Sequence, residues 1–555
     1  MLSIIKLKNL TSEIKTYSRE ELVWFNGYLS GILSVEDIGL SPTQVTSVTE
    51  VKIKPTIIYG TETGNSKKLA SQLQALLKKN KIQAKTVDVS QYPFDKIEKE
   101  EFIISIMSTQ GEGEPPLNAV HFFEHLSSTS INLTKTQFAV LALGDSSYPL
   151  FCKAGEDLDE LLVKLGGKKV IPLQKTDVDY EETANVWFKE VLQVLQTVGQ
   201  NSVISPNIKL EQQIATKKNY EGIVKHKVVL NDRGSNKETY HIELELNESV
   251  VFEPGDAIGL YPKNKTQEIQ ELASLLKAED RFAELENKNV KGLTAKSITN
   301  IAKLFDTEIE EEKLDLIDLL EKYPAPETVD FDQVLNLLHP IAPRLYSISS
   351  SPDAHEGEVH ITVNLSTFEA QGKHKTGLCS QYLADFENGQ KISFYVHKNQ
   401  HFRLPEDDKN IIMIGPGTGI APFRSFLAHR DATGAEGKNW LFFGEQHFVT
   451  DFYYPTEIQE WLTTRVLTKL DTAFSRDQKH KIYVQDRLQQ NAEQIFEWLE
   501  SGAYLYLCGQ KVPMSTDVEN TLIEIIANSK NTSVSEAKNY LEKLELEGRY
   551  QKDVY

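Results

Sequence analysis

The chain has 555 residues, of which 40% are hydrophobic and 25% are charged, and it carries a formal net charge of −20. At about 100–200 residues per domain this length predicts several folded domains, and the composition excludes bulk disorder. The negative charge argues against a general affinity for nucleic acid or for anionic membranes, because both need clustered lysine and arginine.

The cysteine and hydropathy patterns narrow the class further. Cys152, Cys379 and Cys508 lie far apart without a CxxC pair, so neither a disulfide framework nor a metal site is expected, and a reducing cytoplasm is predicted. No run approaches the roughly 18–20 apolar residues of a membrane span. Met1–Leu10 contains lysines and is followed by polar sequence, so we expect no cleaved signal peptide.

The N-terminal third of the chain is predicted to hold a helical leader and an α/β domain. Residues 1–50 form the leader, and residues 51–198 alternate β-rich runs with helical stretches, which is typical of a parallel sheet covered by helices on both faces. The polar stretch at 199–216 is predicted to be a linker. The predicted strands are Thr56–Tyr59, Gln83–Val89, Phe102–Met107, Phe138–Leu143 and Lys169–Leu173.

Residues 217–405 are predicted to form an antiparallel β-barrel with a helical insert at about 266–338. Residues 406–555 return to an α/β alternation, so the predicted fold class is multidomain α/β plus β-barrel. The barrel strands are expected at Gly222–Val229, Tyr240–Leu246, Ala257–Tyr261, Arg344–Ile348 and Val359–Asn364. The strands of the last domain are expected at Ile411–Ile414, Trp440–Phe443 and Tyr504–Leu507.

Three polar loops follow strands of the first α/β domain. Because the carboxyl ends of parallel strands meet at one sheet edge, these loops are expected to form a ligand site. The first loop opens a helix and suits a phosphate group, although alone it is equally well a polar helix cap. It lacks a Gly-Lys-Ser/Thr ending, which disfavours a nucleoside triphosphate. The candidate residues are Thr61, Glu62, Thr63, Gly64, Asn65, Ser66, Ser108, Thr109, Gln110, Gly111, Leu143, Gly144, Asp145, Ser146, Ser147, Tyr148, Phe151 and Cys152.

A second set of candidates lies in the barrel. Arg344-Leu345-Tyr346-Ser347 places a guanidinium, a phenol and a hydroxyl along one strand. Arginine can grip a pyrophosphate bidentately, and tyrosine can cover a flavin ring, as Tyr148 can in the first domain. The alternative is that Arg344 pairs with an acid and Tyr346 belongs to a core.

The third set indicates a dinucleotide. Gly415–Phe423 follows a strand and opens a helix, and its glycines let a pyrophosphate approach the backbone. A basic, hydroxyl-bearing cluster beginning at Ser475 suits a 2′-phosphate and so favours NADPH over NADH, although the same cluster is also compatible with a solvated surface. The candidate nucleotide contacts are Gly417, Thr418, Ser475, Arg476, Lys481, Tyr483, Gln485 and Asp517.

In this order, from Thr61 to Tyr555, the motifs resemble the diflavin reductase family. The resemblance implies a flavodoxin-like domain that binds FMN, a barrel that binds FAD, and an NADP-binding domain like that of ferredoxin–NADP reductases. It also implies the activity, in which electrons pass from NADPH to FAD, then to FMN, and then singly to a separate acceptor.

The same resemblance assigns roles to individual residues. It implies that Ser347, Cys508 and Asp553 are catalytic and that Tyr555 covers the FAD ring, from which it must move before nicotinamide can stack. Cys379 is given no redox role. Further FAD contacts are implied at Thr362, Val363, Asn364, Gly377, Leu378, Cys379 and Ser380.

Within the family, strings such as Leu143–Cys152 and Arg549–Tyr555 resemble the NADPH–sulfite reductase flavoprotein branch, and Gln110 stands where the P450 reductase branch usually has an aromatic residue. The branch implies a haemoprotein (beta) subunit as partner, which reduces sulfite to sulfide in cysteine biosynthesis, and self-association through the N-terminal region. A docking face for the partner is hypothesised at Glu98, Glu100, Glu101, Glu112, Glu114, Glu156, Asp157, Asp159 and Glu160.

Two other functions stay open on the sequence. One is a reductase for a P450-like or other haem acceptor. The other is a flavodoxin-like binding module whose reductase half is inactive. Intact Ser347, Cys508 and Asp553 speak against an inactive half.

Overall fold

The structure is a computed structural model. It describes residues 54–62, 64–111, 113–128, 131–145, 148, 150–177, 180–198, 218–310, 314–370 and 372–555. The predicted leader, the linker at 199–216, the site residues Thr63, Ser146 and Ser147, and the acidic Glu112 lie outside these ranges.

The first unit, residues 54–198, is a parallel sheet with helices on both faces. Its strand order is β2-β1-β3-β4-β5, with β6 also paired to β4, and this is the flavodoxin-like order. The strands are β1 Thr56–Gly60, β2 Lys85–Asp88, β3 Phe102–Ser108, β4 Gln137–Leu143, β5 Lys168–Lys169 and β6 Gln174–Thr176. The α-helices are α1 Asn65–Lys79, α2 Val120–Ser128, α3 Lys153–Lys164 and α4 Tyr180–Val198. We call this part the flavodoxin-like unit.

The central strands of this unit are apolar on both sides, as expected for a sheet that is covered twice. Ile57 and Ile104 pack into the core under one face, whereas Ile58 and Ile103 pack under the other. The predicted strand at Lys169–Leu173 is instead two short strands, β5 and β6, on either side of Pro172. Proline has no N–H group and therefore interrupts a hydrogen-bonded strand.

The second unit, residues 218–405, is an antiparallel barrel in the order β10-β9-β14-β7-β8-β11, and a bridge between Ile348 and Ile361 links the two ends of that order. The strands are β7 Asn219–Val229, β8 Thr239–Leu246, β9 Ala257–Leu260, β10 Arg344–Ser347, β11 Glu358–Asn364, a hairpin of β12 Thr367–Ala370 and β13 Lys373–Thr376, and β14 Lys391–His397. The helices are α5 Thr266–Leu275, α6 Ala295–Phe305, α7 Leu316–Lys322, α8 Phe331–Leu337 and α9 Leu378–Asp385.

The helical insert has its own apolar core, built around buried residues such as Ile301, Leu319 and Val334. This explains how it interrupts the barrel between β9 and β10 without entering the barrel core. The sequence did not predict β12, β13 or β14, because the first two are polar and short and the third carries charged ends.

The third unit, residues 406–555, is a parallel sheet in the order β17-β16-β15-β18-β19. The strands are β15 Ile411–Ile414, β16 Asn439–Glu445, β17 Lys469–Phe474, β18 Tyr504–Gly509 and β19 Tyr550–Val554. The helices are α10 Ala421–Thr433, α11 Phe448–Asp451, α12 Pro455–Thr464, α13 Val484–Gln490, α14 Ala492–Glu500, α15 Thr516–Lys530 and α16 Val534–Leu546. The fold class predicted from the sequence is confirmed. None of the described helices combines the length and apolar character that a membrane crossing requires.

Candidate functional site

The three polar loops of the flavodoxin-like unit lie together at the carboxyl edge of its sheet. The Ser108 hydroxyl donates to the Gly60 carbonyl at 3.3 Å, which ties the second loop to the first. The Thr109 N–H donates to the Leu143 carbonyl at 2.9 Å, and the Thr109 hydroxyl accepts from the Ala154 N–H at 3.2 Å. The edge therefore presents one continuous polar rim.

The first loop leads into helix α1, whose first turn contains the hydroxyl of Ser66. The hydroxyl of Ser66 is buried and has no hydrogen-bond partner among the described residues. Gly64 precedes the helix at φ +91°, a conformation that favours glycine, and its N–H donates to the Thr61 hydroxyl at 2.9 Å. With Asn65 as the first helical residue, this N-terminus fits a phosphate group.

The second loop is closed by Gln110 and Glu114, which form an isolated bridge. Gly111 between them has φ +53°, and a Cβ there would lie 2.7 Å from the Glu114 carboxylate, so another residue would be strained. Asn118, which the sequence reading missed, positions this region: its Oδ1 accepts from the Thr61 N–H at 3.2 Å, and its amide donates to Asp88. A lone asparagine beyond the loop gave no motif by which to find it.

The third loop is supported from behind by Cys152. Its thiol is buried against the carbonyls of Ala142 and Thr176, and burial raises the pKa of that thiol to about 12. A Cβ on Gly144 would lie 2.7 Å from the Cys152 nitrogen. Cys152 therefore packs the loop, while Phe151 lies beside it at partial exposure.

In the barrel, the residues of β10 meet the start of helix α9. The hydroxyl of Tyr346 lies near the thiol of Cys379, and burial raises the pKa of both groups. Arg344 and Leu345 are exposed beside them, and the helix begins at Leu378 after Gly377. The Ser380 hydroxyl accepts from the Ser366 N–H at 3.2 Å. A guanidinium next to a helix N-terminus suits a pyrophosphate.

Thr362, Val363 and Asn364, which the resemblance gives as further FAD contacts, lie at the end of strand β11. Thr362 is buried and its hydroxyl lies 2.6 Å from that of Tyr454 in the third unit. Val363 belongs to the barrel core, and Asn364 accepts from Thr239 at 3.2 Å. Thr362 therefore contacts the third unit, whereas the side chains of Val363 and Asn364 make their contacts within the barrel.

Three residues from distant parts of the sequence meet where the barrel contacts the third unit. The Ser347 hydroxyl donates to Asp553 Oδ2 at 2.9 Å, and the Cys508 thiol lies 3.9 Å from the same oxygen. Strands β18 and β19 place Cys508 opposite Asp553. Burial raises the pKa of Asp553, partly offset by the hydrogen bonds from Ser347 and Cys508, and burial also raises the pKa of Cys508.

The glycine loop after β15 lies beside this trio. Gly417 has φ +60°, and a Cβ on Gly419 would lie 2.2 Å from the Cys508 carbonyl, so the loop and β18 fit only without that atom. The Thr418 hydroxyl lies 2.7 Å from the Tyr555 hydroxyl. Tyr555 is 62% exposed, and burial of its hydroxyl together with the nearby Cys508 and Asp553 raises the pKa of that hydroxyl.

The predicted 2′-phosphate cluster follows β17 at the same sheet edge. The Ser475 N–H donates to the Glu445 carbonyl and the Arg476 N–H donates to the Gln446 carbonyl, both at 2.9 Å. The side chains of Arg476 and Lys481 are exposed, as expected for an anion site. The remaining predicted contacts are Tyr483 and Gln485 at the start of α13 and Asp517 in the first turn of α15.

Lys237 is a second residue that the sequence reading missed. It precedes β8 in the barrel, and its ammonium lies 2.6 Å from Glu445, a buried residue of the third unit. A Cβ on Gly417 would lie 3.6 Å from the same carboxylate. Lys237 therefore brings a positive charge close to the glycine loop, and no sequence spacing links the two.

The flavodoxin-like unit contacts the barrel through its third loop. Asp145 Oδ2 lies 3.9 Å from His397 Nδ1. Burial and Asp145 raise the pKa of Tyr148, whereas the charge of Arg344 in the barrel opposes that shift. The rings of Tyr180 and His401 are stacked with centroids 5.9 Å apart. The two aromatic residues predicted to cover flavins, Tyr148 and Tyr346, thus belong to facing surfaces.

A flavodoxin-like unit, an antiparallel barrel and a nucleotide-binding sheet, with a Ser–Asp–Cys trio between the last two, define a flavoprotein oxidoreductase. Family models agree: "Flavodoxin" matches residues 57–187, "FAD binding domain" matches 284–382 and "Oxidoreductase NAD-binding domain" matches 413–520. These matches support the FMN, FAD and NADPH expected from the sequence.

Three relatives narrow the class. The chain is 38% identical to the "Sulfite reductase [NADPH] flavoprotein alpha-component" of Bacillus subtilis, over 98% of this chain and 96% of the relative. Identities to proteins of the same name are 35% in Serratia proteamaculans (99% and 97% covered) and 37% in Zymomonas mobilis (99% and 98% covered). The chain belongs to the family of sulfite reductase [NADPH] flavoprotein alpha-components.

Proposed function

We propose that the chain passes electrons from NADPH to FAD, then to FMN, and then singly to a sulfite reductase haemoprotein, which reduces sulfite to sulfide in the cytoplasm for cysteine biosynthesis. The observation that carries the proposal is the trio of Ser347, Asp553 and Cys508 beside the glycine loop. The relatives' name supports the choice of sulfite.

Bound flavins supply the redox chemistry, because they take two electrons together from NADPH and release them one at a time. The chain's own residues fix the geometry. Asp553 Oδ2 accepts hydrogen bonds from Ser347 and Cys508, so it orients the hydroxyl and the thiol toward one point. Its raised pKa lets Asp553 hold a proton more readily than an exposed carboxyl does.

Other residues bind the charged ends of the cofactors. Ser66 and Thr61 offer hydroxyls to the FMN phosphate, and Arg344 offers its guanidinium to the FAD pyrophosphate. Gly417 and the nearby Lys237 would hold the NADPH pyrophosphate, and Arg476 would hold its 2′-phosphate. Tyr555 excludes water from the trio until nicotinamide takes its place.

The acidic docking face contains both paired and exposed acids. Glu156 and Asp157 are paired with Lys175 and Lys153, and Asp159 is paired with Lys169. These pairs reduce the net charge of that patch. Glu101 and Glu160 are exposed, so we propose that a basic surface of the haemoprotein contacts the part of the face that carries them.

The test begins with flavin extraction from purified protein, which should give one FAD and one FMN per chain. NADPH should then reduce FAD, and Asp553→Asn should slow that step by about tenfold to a hundredfold, because it removes a charged hydrogen-bond acceptor. Asp408→Asn, at an exposed position, is the matched control.

Acceptors are compared in the same assay. The sulfite reductase haemoprotein should be reduced faster than a P450-type haem protein. A colourless protein, or one that fails to oxidise NADPH with both flavins added, would refute the proposed function.

A further inference from the structure

Tyr555 is held by its main chain as well as by its ring. Its N–H donates to the Gly509 carbonyl at 3.1 Å, and its carbonyl accepts from the Lys511 N–H at 2.9 Å. Its hydroxyl lies 2.7 Å from that of Thr418. Gly509 and Lys511, at the end of β18 and just after it, therefore hold the main chain of Tyr555. We call these two residues the seat of this tyrosine.

The side chain of Lys511 leaves that seat and reaches the flavodoxin-like unit. Its ammonium lies 3.7 Å from Glu62 Oε2, in the first polar loop. The other oxygen of Glu62 accepts from the Leu117 N–H at 2.9 Å, which fixes the carboxylate on its own unit. One residue thus contacts both Tyr555 and the loop predicted to bind the FMN phosphate.

The ion pair is weak enough to break during turnover. The Lys511 side chain is 48% exposed and that of Glu62 is 25% exposed, and such pairs contribute less than about 1 kcal/mol. A further separation of about 1 Å would take the two groups beyond ion-pair distance. Small movements of the seat are therefore enough to release it.

We propose that Lys511 is a positioning residue that couples displacement of Tyr555 to release of the flavodoxin-like unit. The inference rests on the proposed function, because it takes nicotinamide to be the group that displaces Tyr555. Moving the ring from Thr418 withdraws the Tyr555 carbonyl from the Lys511 N–H. The seat then shifts, and the Glu62 contact is lost when the nucleotide arrives.

The experiment measures the distance between the two units by pulsed electron spin resonance. Nitroxides are attached at Lys79→Cys and Lys538→Cys, both at exposed positions, while the three native thiols are buried. The probe nucleotide is oxidised NADP⁺, which binds without reducing the flavins. In the otherwise unchanged protein, NADP⁺ should lower the ratio of docked to undocked molecules by about twofold to fivefold.

Two variants distinguish the role of the Lys511 side chain from that of the Tyr555 ring. Lys511→Gln should show the lowered ratio without nucleotide and no further response to NADP⁺. Tyr555→Ala keeps the carbonyl that Lys511 needs but removes the ring, so its ratio should stay high and its response to NADP⁺ should disappear. Lys530→Gln, which breaks a pair with Glu500 elsewhere on the third unit, should respond as the parent does.

The coupling is overturned if Lys511→Gln keeps both the docked ratio and the response to NADP⁺ while NADPH still reduces FAD at the parent rate. A failure of NADPH to reduce FAD in the parent protein would instead count against the proposed function.

Discussion

The barrel is joined to the third unit by buried polar contacts and to the flavodoxin-like unit by partly exposed ones. In the first interface, Arg424 is 5% exposed and makes two bonds to Glu457, at 2.7 and 2.8 Å. It also donates to the Ser349 carbonyl at 2.8 Å and to His360 Nδ1 at 3.1 Å. Each nitrogen of the Arg424 guanidinium therefore donates to a defined acceptor.

Two buried histidines extend this network. His241 Nδ1 lies 3.0 Å from the Tyr454 hydroxyl, and its Nε2 lies 3.2 Å from Glu243. His360 accepts from Arg424 at Nδ1, so its Nε2 carries the proton that it shares with Glu358 at 2.8 Å. Fully bonded buried groups of this kind fix one arrangement of two surfaces.

Among the described residues, the contacts of the flavodoxin-like unit with the rest of the chain are longer. They include Asp145 with His397 at 3.9 Å, Glu62 with Lys511 at 3.7 Å, and the stacked rings of Tyr180 and His401. The difference indicates that the barrel and the third unit are joined more firmly to each other than either is to the flavodoxin-like unit. We therefore expect the flavodoxin-like unit to be the part that separates when an acceptor binds.

The largest effect is expected at the rigid interface. Arg424→Ala should lower the free energy of unfolding by about 3 kcal/mol or more, because it leaves buried acceptors without their donor. Arg281→Ala removes a partly exposed arginine that pairs with Glu284 and Asp332, and it should destabilise the protein far less than Arg424→Ala does. Urea unfolding followed by tryptophan fluorescence measures both, and equal losses would contradict the proposed difference.

Acid should weaken the same interface. Burial and the nearby Arg424 charge lower the pKa of His241 to about 2, and burial lowers that of His360 to about 3. An unfolded histidine has a pKa of about 6.5, so the unfolded chain binds more protons between these values. Stability is therefore unaffected above about pH 6.5 and falls below it, by about 2 kcal/mol per histidine at pH 5.

His241→Gln provides the check on this assignment, because it keeps hydrogen-bonding groups but does not titrate. Its loss of stability between pH 7 and pH 5 should be smaller than that of the parent by about 2 kcal/mol, the contribution of one such histidine. His374→Gln, at an exposed histidine, should leave the loss unchanged. A parent protein equally stable at both pH values would remove the argument.

The smallest effect on stability is expected at the other interface. His397→Gln weakens a contact with Asp145 that is already 3.9 Å long, so the free energy of unfolding should change far less than in Arg424→Ala. The same variant should lower the docked fraction seen by the two spin labels. The docked fraction of the parent should also fall as salt is raised, whereas the Arg424 network should resist salt because it is buried. A salt-independent docked fraction would mean that electrostatics do not hold this interface.

Much of the fold could be predicted from the sequence alone. Apolar runs located the central strands of both parallel sheets, and the polar loops after them predicted the candidate cofactor edges, because both signals are local. Strands β12, β14 and β19 were missed because their partners, and not their own residues, make them strands. Asn118 and Lys237 were missed for the same reason, since each acts across a distance that no spacing rule records.

Strand β19 inserts Asp553 beside Cys508 although it follows every other residue of the trio in the sequence. During translation, Ser347 and Cys508 leave the ribosome first and lack the carboxylate that orients them. A nascent polypeptide therefore has no assembled trio of Ser347, Cys508 and Asp553 until β19 has been made.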